Sequence, residues 1–565
     1  MIRPDWNSAL KRRAAGMGLL PVVRAIRHRF RLLTDSPFRD RERQLEEHFT
    51  SFSEQHAALF RRASLGVDCR AGRAVIVSQG ALGQLVEITL VKAFELAGHR
   101  PLILTDYDRW MERYYRASGI ADIVYWEDFV RPIDDATVQA AMDSVRSFEH
   151  LVKLDYKRAR VGKYAASTAL RHLRAGNLDL SSAPTRAALL PFLRRAMQYA
   201  EAAESIVRAL APRIALSVDP GYTPRGELFD ICLAAGIDTI TWNAAHKNNH
   251  LMLKRYNPAN RDVHPASLSN ETWRNMTSMD WTPADAALVR RELVDTYVSG
   301  EWYSEVGTQF HTSLRGADDV RRDLALDGSK KTAVVFPHIF WDGTFFWGTD
   351  LFGSYEEWFM ETMKVACANR AVNWIVKVHP ANQVKNVRDG VQAEASEMAA
   401  IRAIADSLPS HIRVIPPENR MNTLSLYGVM DYCVTVRGTV GIEAAAFGIP
   451  VLTAGTGRYD RLGFTVDSES KAQYLDRLAH IQEMPPLSPV QRELAERFAY
   501  GLFLVRPLAL RTVALEYQRD AKASLRTSLR MEAGDDLAAA PDLRALAEWI
   551  QSGREDFVAS QAEEK

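Results

Sequence analysis

The chain has 565 residues, with 71 Lys and Arg against 70 Asp and Glu, for a formal net charge of +1. That length exceeds what one hydrophobic core serves, so two or three domains are expected, and the charge balance argues against a nucleic-acid partner. Cys69, Cys232, Cys367 and Cys433 lack Cys-x-x-Cys spacing, which points to neither a zinc site nor a disulfide framework, and no apolar run reaches the roughly eighteen residues needed to cross a bilayer.

At the start, the apolar stretch Met17–Val23 is broken by Pro21 and followed at once by Arg24, Arg27, Arg29 and Arg31. Neither a secretion signal nor a span is expected, and the chain reads as cytoplasmic. With Arg3, Lys11, Arg12 and Arg13, these arginines interleave with Leu10, Leu19, Leu20, Val23, Ile26, Phe30 and Leu33, partly at helical spacing. Such a basic amphipathic segment over 1–33 either lies on an anionic membrane, at the inner face of the cell membrane, or packs one stripe on the protein. A helix with a polar face over 39–60 completes a basic helical region, 1–65.

A first Rossmann-like domain with a helical insertion is expected over 66–325. Ala74–Ser78 reads as a buried strand, followed by Gly80, Gly83, a helix over 84–97 and a second strand, Leu102–Thr105. The two glycines suit either close approach of an acceptor or tight packing. Asp106-Tyr107-Asp108 mimics a metal-binding Asp-x-Asp motif, yet its place before Arg109–Arg116 suits a helix cap. Residues 136–210 read as helical, with Arg158, Arg160, Lys163 and Arg171 facing either an anionic acceptor or solvent. Ile214–Val218 is the next strand, and it delivers Asp219 and Glu227 to a loop before a helix over 228–235. A carboxylate beside an acceptor hydroxyl is a common general base. Asp219 is favoured because it lies nearer the strand end, and Glu227 is the alternative unless it serves the helix amino terminus. Residues 242–302 read as a loop-rich acceptor surface or connection, in which His246, His250 and His264 lack metal-ligand spacing.

A second Rossmann-like domain is expected over 326–500. Its first strand, Thr332–Phe336, ends in a loop carrying His338 and Asp342. Trp374–Val378 carries Lys377 near its end, where it is expected to bind the donor, and leads to His379 and Pro380. Tyr432–Val436 ends at Arg437-Gly438-Thr439, and Gly448-Ile449-Pro450-Val451 opens the strand after the following helix. Strands that stop at loops and continue into helices form parallel sheets, with ligands gathering at the carboxyl ends of the strands. Arg437, Gly438 and Thr439 supply a cation, a flexible backbone and a hydroxyl at a helix start, where free N–H groups favour a phosphate. Glu443, one turn further on, is placed to hold a sugar hydroxyl pair. From 501 to 565, helices that cross back and a peripheral tail after Ala533 are expected.

The ordered set Lys377-Val378-His379-Pro380, then Gly438-Thr439-Val440-Gly441-Ile442-Glu443-Ala444, then Gly448-Ile449-Pro450-Val451 resembles the capsule polysaccharide biosynthesis group of GT-B glycosyltransferases, which includes bacterial Kdo transferases. It is more distantly similar to CDP-glycerol glycerophosphotransferases and bacterial sialyltransferases. The resemblance implies an α/β GT-B fold, with two Rossmann-like domains facing across a cleft and extra helices. It implies that His379 and Thr439 contact a donor phosphate, that Glu443 contacts the nucleotide, and that His338 approaches the phosphate, with Asp342 as a reserve base. The expected activity is inverting, metal-independent transfer of a sugar from a nucleotide donor, tilted toward CMP-linked sugars. The acceptor would be a surface or capsular polysaccharide or its lipid-linked precursor. The nucleotide-sugar is then a substrate and no cofactor is called for. Transfer of a polyol phosphate from a CDP-linked donor and a non-catalytic polysaccharide-binding role are the alternatives.

Overall fold

The computed structural model describes residues 20–63, 68–78, 84–343, 347–404, 408–532 and 534–559. Gly80, Gly83 and residues 1–19 of the basic segment lie outside them.

The first sheet is built from β1 (Arg73–Val77), β2 (Arg100–Thr105), β3 (Ile123–Tyr125), β4 (Ile214–Ser217), β5 (Asp238–Ala244) and β6 (His250–Tyr256). Its order from one edge is β3, β2, β1, β4, β5, β6, with β6 antiparallel to β5 and the other pairs parallel. The second sheet is built from β7 (Thr332–Val335), β8 (Asn373–Lys377), β9 (Ile412–Ile415), β10 (Tyr432–Thr435), β11 (Val451–Thr453) and β12 (Val466–Asp467). It runs β9, β8, β7, β10, β11, β12, parallel throughout. Both sheets thus have the strand order of a dinucleotide-binding fold, which reverses between the first and fourth strands and opens a crevice there.

Alternation along the strands explains why helices cover both faces. In β1, Ala74 and Ile76 pack into one core while Val75 and Val77 pack into another. In the second sheet, Val334, Ile375 and Cys433 face one core, and Val335, Val376 and Val434 the other. Strands apolar on both sides require a layer of helix on each. The architecture is the α/β GT-B arrangement of two such units.

After the helix Pro489–Tyr500 the chain returns to the first unit. There β13 (Leu508–Ala509) pairs with β6, and β14 (Val513–Tyr517) and β15 (Leu525–Leu529) form a hairpin. The expected peripheral tail is instead structural. The helix Pro541–Ser552 buries Leu543, Leu546, Trp549 and Ile550 in the same core as the helix Gln84–Leu96. Beyond it, Asp556 is buried between Lys254, at 2.8 Å, and Arg506, at 3.3 Å. That ion cluster also explains β6, which falls where a loop-rich segment was expected. Its Lys254 and Arg255 look like surface residues in the sequence, yet both are buried with carboxylate partners from elsewhere in the chain. The rest of that segment forms the helices Asn270–Ser278 and Pro283–Ser299. The helix expected over 39–60 is two, Ser36–Gln55 and Ala57–Ala63.

Candidate active site

The crevice of the second sheet holds a cavity of about 320 Å³, within the roughly 300–1,000 Å³ usual for small-molecule sites. Its walls come from the loop after β7 (His338, Asp342), the end of β8 (Lys377, His379), the helix Ala381–Asp389 (Lys385), the turn after β10 (Gly438, Thr439, Glu443), Arg458, and the connecting segment from Tyr297 to Gln309. Apart from the connecting segment, which runs on from the helix Pro283–Ser299, these residues meet because they lie at or beyond strands whose carboxyl ends open on the same crevice.

His379 accepts a hydrogen bond at Nδ1 from the Ala381 backbone N–H, at 3.2 Å. Burial lowers its pKa to about 4, with Lys385 the next cause. The ring is therefore neutral near pH 7, and with Nδ1 accepting, its proton sits on Nε2 as a donor. His338 is buried to a pKa of about 3, stacks on Tyr355 with ring centroids 4.5 Å apart, and accepts at Nε2 from the Arg437 backbone N–H, at 3.4 Å. The helix Thr439–Ala446 starts at the cavity with Gly438 as its cap residue. Thr439 and Tyr303 both line the cavity. Glu443, one turn on, is buried at the floor, where the hydroxyls of Tyr297 and Tyr427 donate to its Oε2 at 2.6 and 2.5 Å. Burial raises its pKa to about 7.

Four expected residues are placed differently from their expected roles. Arg437 does not line the cavity; its side chain turns into the protein and is paired with Asp350, and only its backbone faces the site. Lys377 reaches the cavity wall but is buried and donates to the Met421 carbonyl at 3.0 Å, which ties β8 to the 421 loop. Asp342 is held by Lys385, by Tyr222 at 2.9 Å and by Arg171 at 3.3 Å. Those cations keep its carboxyl far below the usual range and make it a weak base. Glu227 is fully buried in the helix Arg225–Ala234 and bonded to Thr223 at 2.6 Å, away from the cavity.

Asp219 follows β4, at the point where the order of the first sheet reverses. Its backbone is left-handed, with φ of 44°, a conformation that costs energy and clusters at functional sites. Burial raises its carboxyl pKa, opposed by Arg225 and Arg171, and the charges of Asp342 and Lys385 also act on it. Asp219 therefore belongs to the same charged neighbourhood as the cavity, across the cleft. Asp108, by contrast, caps the helix Arg109–Ala117, accepting from Trp110 and Met111 at 2.8 and 3.0 Å.

Two cations of the site were not singled out from the sequence. Lys385 stands on the helix that His379-Pro380 opens. Arg458 follows the Gly455-Thr456-Gly457 turn, bonded to the carbonyls of Ala266 and Arg437 at 3.1 and 3.2 Å. A basic residue just beyond each strand-end motif is the signal that would have found them. Among the described residues, no three His, Cys, Asp or Glu side chains gather where they could hold a metal ion.

Residues 296–484 match the model of the family described as "Capsule polysaccharide biosynthesis protein". No curated protein matches the chain. Among solved structures, the beta Kdo 2,4 transferase KpsC of Thermosulfurimonas dismutans is 14% identical, covering 52% of this chain and 80% of that one, with a TM-score of 0.32. The beta Kdo 2,7 transferase KpsC of the same organism is 12% identical over 62% and 89%, with a TM-score of 0.31. UDP-GlcNAc 2-epimerase of Neisseria meningitidis, bound to UDP-GlcNAc, is 11% identical over 76% and 96%, with a TM-score of 0.26. At these scores the likenesses assign no function. The family match does bear on the site, because every residue lining the cavity falls inside 296–484. Over residues 296–484, the segment that builds the cavity, the chain is similar to the family of capsule polysaccharide biosynthesis proteins.

Proposed function

We propose that the protein is an inverting glycosyltransferase that moves a sugar from a nucleotide donor, CMP-linked by the His-Pro resemblance, to a surface or capsular polysaccharide or its lipid-linked precursor. The observation that carries this reading is the convergence of His379, Thr439, Lys385, Arg458 and a helix amino terminus on one cavity in a segment that matches the capsule family. Neutral donors, cations and free backbone N–H groups at one point are what a phosphate requires.

In the proposed reaction the acceptor oxygen attacks the anomeric carbon as Asp219 takes its proton. The bond from that carbon to the donor phosphate breaks, and its electron pair stays on the phosphate oxygen. A carboxyl held above the ordinary range by burial is a stronger base than one in water. His379 Nε2–H, the Thr439 hydroxyl and the amides that open the helix stabilise the departing phosphate, with Lys385 and Arg458 supplying positive charge. Glu443 holds a hydroxyl of the nucleotide from the floor. The scheme draws its charge from side chains and calls for no metal ion.

The test is nucleotide release from CMP-, CDP-, UDP- and GDP-linked donors in the presence of a glycan acceptor. His379→Ala is expected to lower turnover by about 10²–10³ with little change in thermal midpoint. Binding of glycan with no nucleotide binding would favour a non-catalytic role, and phosphate retained in the product would favour polyol-phosphate transfer.

A further inference from the structure

The helix Leu20–Thr34 presents its polar side to the protein and its apolar side outward. On the inner side, Arg24 pairs with Glu127 and lies 3.8 Å from the centre of the Tyr107 ring. His28 is 2.8 Å from the Arg109 guanidinium, 3.6 Å from Glu42 and edge-on to Phe38. On the outer side stand Val22, Ile26, Phe30 and Leu33, exposed by 53%, 64%, 64% and 78%. At 3.6 residues per turn they share an arc of about 80°. A surface helix of a water-soluble domain does the reverse and turns its apolar stripe to the core. The helix contains no acidic residue, and Arg27 and Arg29 are exposed beside the stripe.

We propose that this helix lies along the surface of an anionic phospholipid bilayer, with the stripe at the acyl boundary and the arginines among the headgroups. Charge selects this occupant. Pairing the stripe with a second copy of itself would set arginines against arginines, whereas anionic lipid supplies the opposite charge. Among the described residues no helix is long and apolar enough to cross a membrane, so the contact is along the surface. Tyr107 and Glu127 follow β2 and β3, which places the helix at the carboxyl ends of the first sheet, the side from which Asp219 addresses the cleft. A bilayer there would bring a lipid-linked acceptor to the first unit, although binding itself does not depend on the transferase reading.

Flotation of the full chain with phosphatidylcholine–phosphatidylglycerol vesicles, without donor or acceptor, tests this. The protein is expected to float with these vesicles and far less with phosphatidylcholine alone. Arg27→Gln and Arg29→Gln should each weaken partition by about fivefold. Ile26→Glu with Phe30→Glu should weaken it by at least about tenfold and leave the thermal midpoint unchanged, since both side chains are exposed. Failure to float, equal binding to phosphatidylcholine alone, or conversion of a dimer to a monomer by the double substitution with flotation intact would each overturn the proposal.

Discussion

Glu227 shows at the scale of one residue how burial sets a charge. Thr223 donates to one of its oxygens, the other oxygen is buried without a side-chain partner among the described residues, and burial raises its pKa from 4.5 to about 8. The folded chain keeps a proton that the unfolded chain releases at lower pH. The group's contribution to stability is therefore full below about pH 4.5 and is lost as pH rises through about 8. Glu227→Gln mimics the protonated form. Its stability is expected to match the wild type near pH 5 and to exceed it near pH 9, by an amount on the order of 5 kcal/mol, seen as a higher thermal midpoint. Parallel pH profiles for the two proteins would contradict this. The meeting of His338, His379, Thr439 and Glu443 at one cavity was legible where a strand-end motif fixed their position. Direction was not legible. Arg437 and Arg458 both stand next to glycine-rich turns, and only the fold shows that Asp350 draws the first inward while the second faces the cavity.

At the scale of the element, the helix Thr439–Ala446 is held at the cavity by close packing. A Cβ on Gly441 would lie 2.2 Å from the Tyr459 hydroxyl, which itself donates to the Gly438 carbonyl at 2.8 Å. Tyr459 is buried and has little room to move. Gly441→Ala is expected to cost about 1–3 kcal/mol and to weaken nucleotide binding by displacing the helix start. Adding Tyr459→Phe removes the clashing oxygen, so the double variant should be more stable than the sum of the two single losses. Additive losses would place the clash elsewhere. Element order was readable for β1, β2 and β4 of the first sheet and for β7, β8, β10 and β11 of the second, because buried strands announce themselves as short apolar runs, whereas β3, three half-buried residues, was missed. It failed at β6 and at the helix Pro541–Ser552, for different reasons. In β6, ion pairs with distant carboxylates disguise a buried strand as a polar segment. In the last helix, alanines and acids dilute an apolar stripe whose partner lies in the helix Gln84–Leu96.

At the scale of the molecule, the two units are joined by charges around Asp342. This side chain belongs to the second unit with its partner Lys385, and it takes Arg171 and Tyr222 from the first. Nearby, Arg174 pairs with Asp389 and lies 3.8 Å from the centre of the Trp341 ring. Asp342→Asn with Arg174→Ala is expected to uncouple the units, so that calorimetry shows two unfolding transitions or one broadened transition. A single sharp transition at the wild-type midpoint would contradict this. The two-unit architecture was legible from repeated strand-turn-helix patterns, whereas the latch was not, because its members paired across the units lie 120 to 215 residues apart. The central claim is that the crevice of the second unit grips the phosphate of a nucleotide donor. Its most direct measurement is the thermal midpoint with CMP, CDP, UDP and GDP, compared with His379→Ala and Arg458→Ala. At about one hundred times its dissociation constant, a bound nucleotide stabilises the fold by about 3 kcal/mol. At least one nucleotide is expected to raise the midpoint of the wild type, with the rise lost in both variants. No rise with any of them, or a rise that survives both substitutions, would contradict the account.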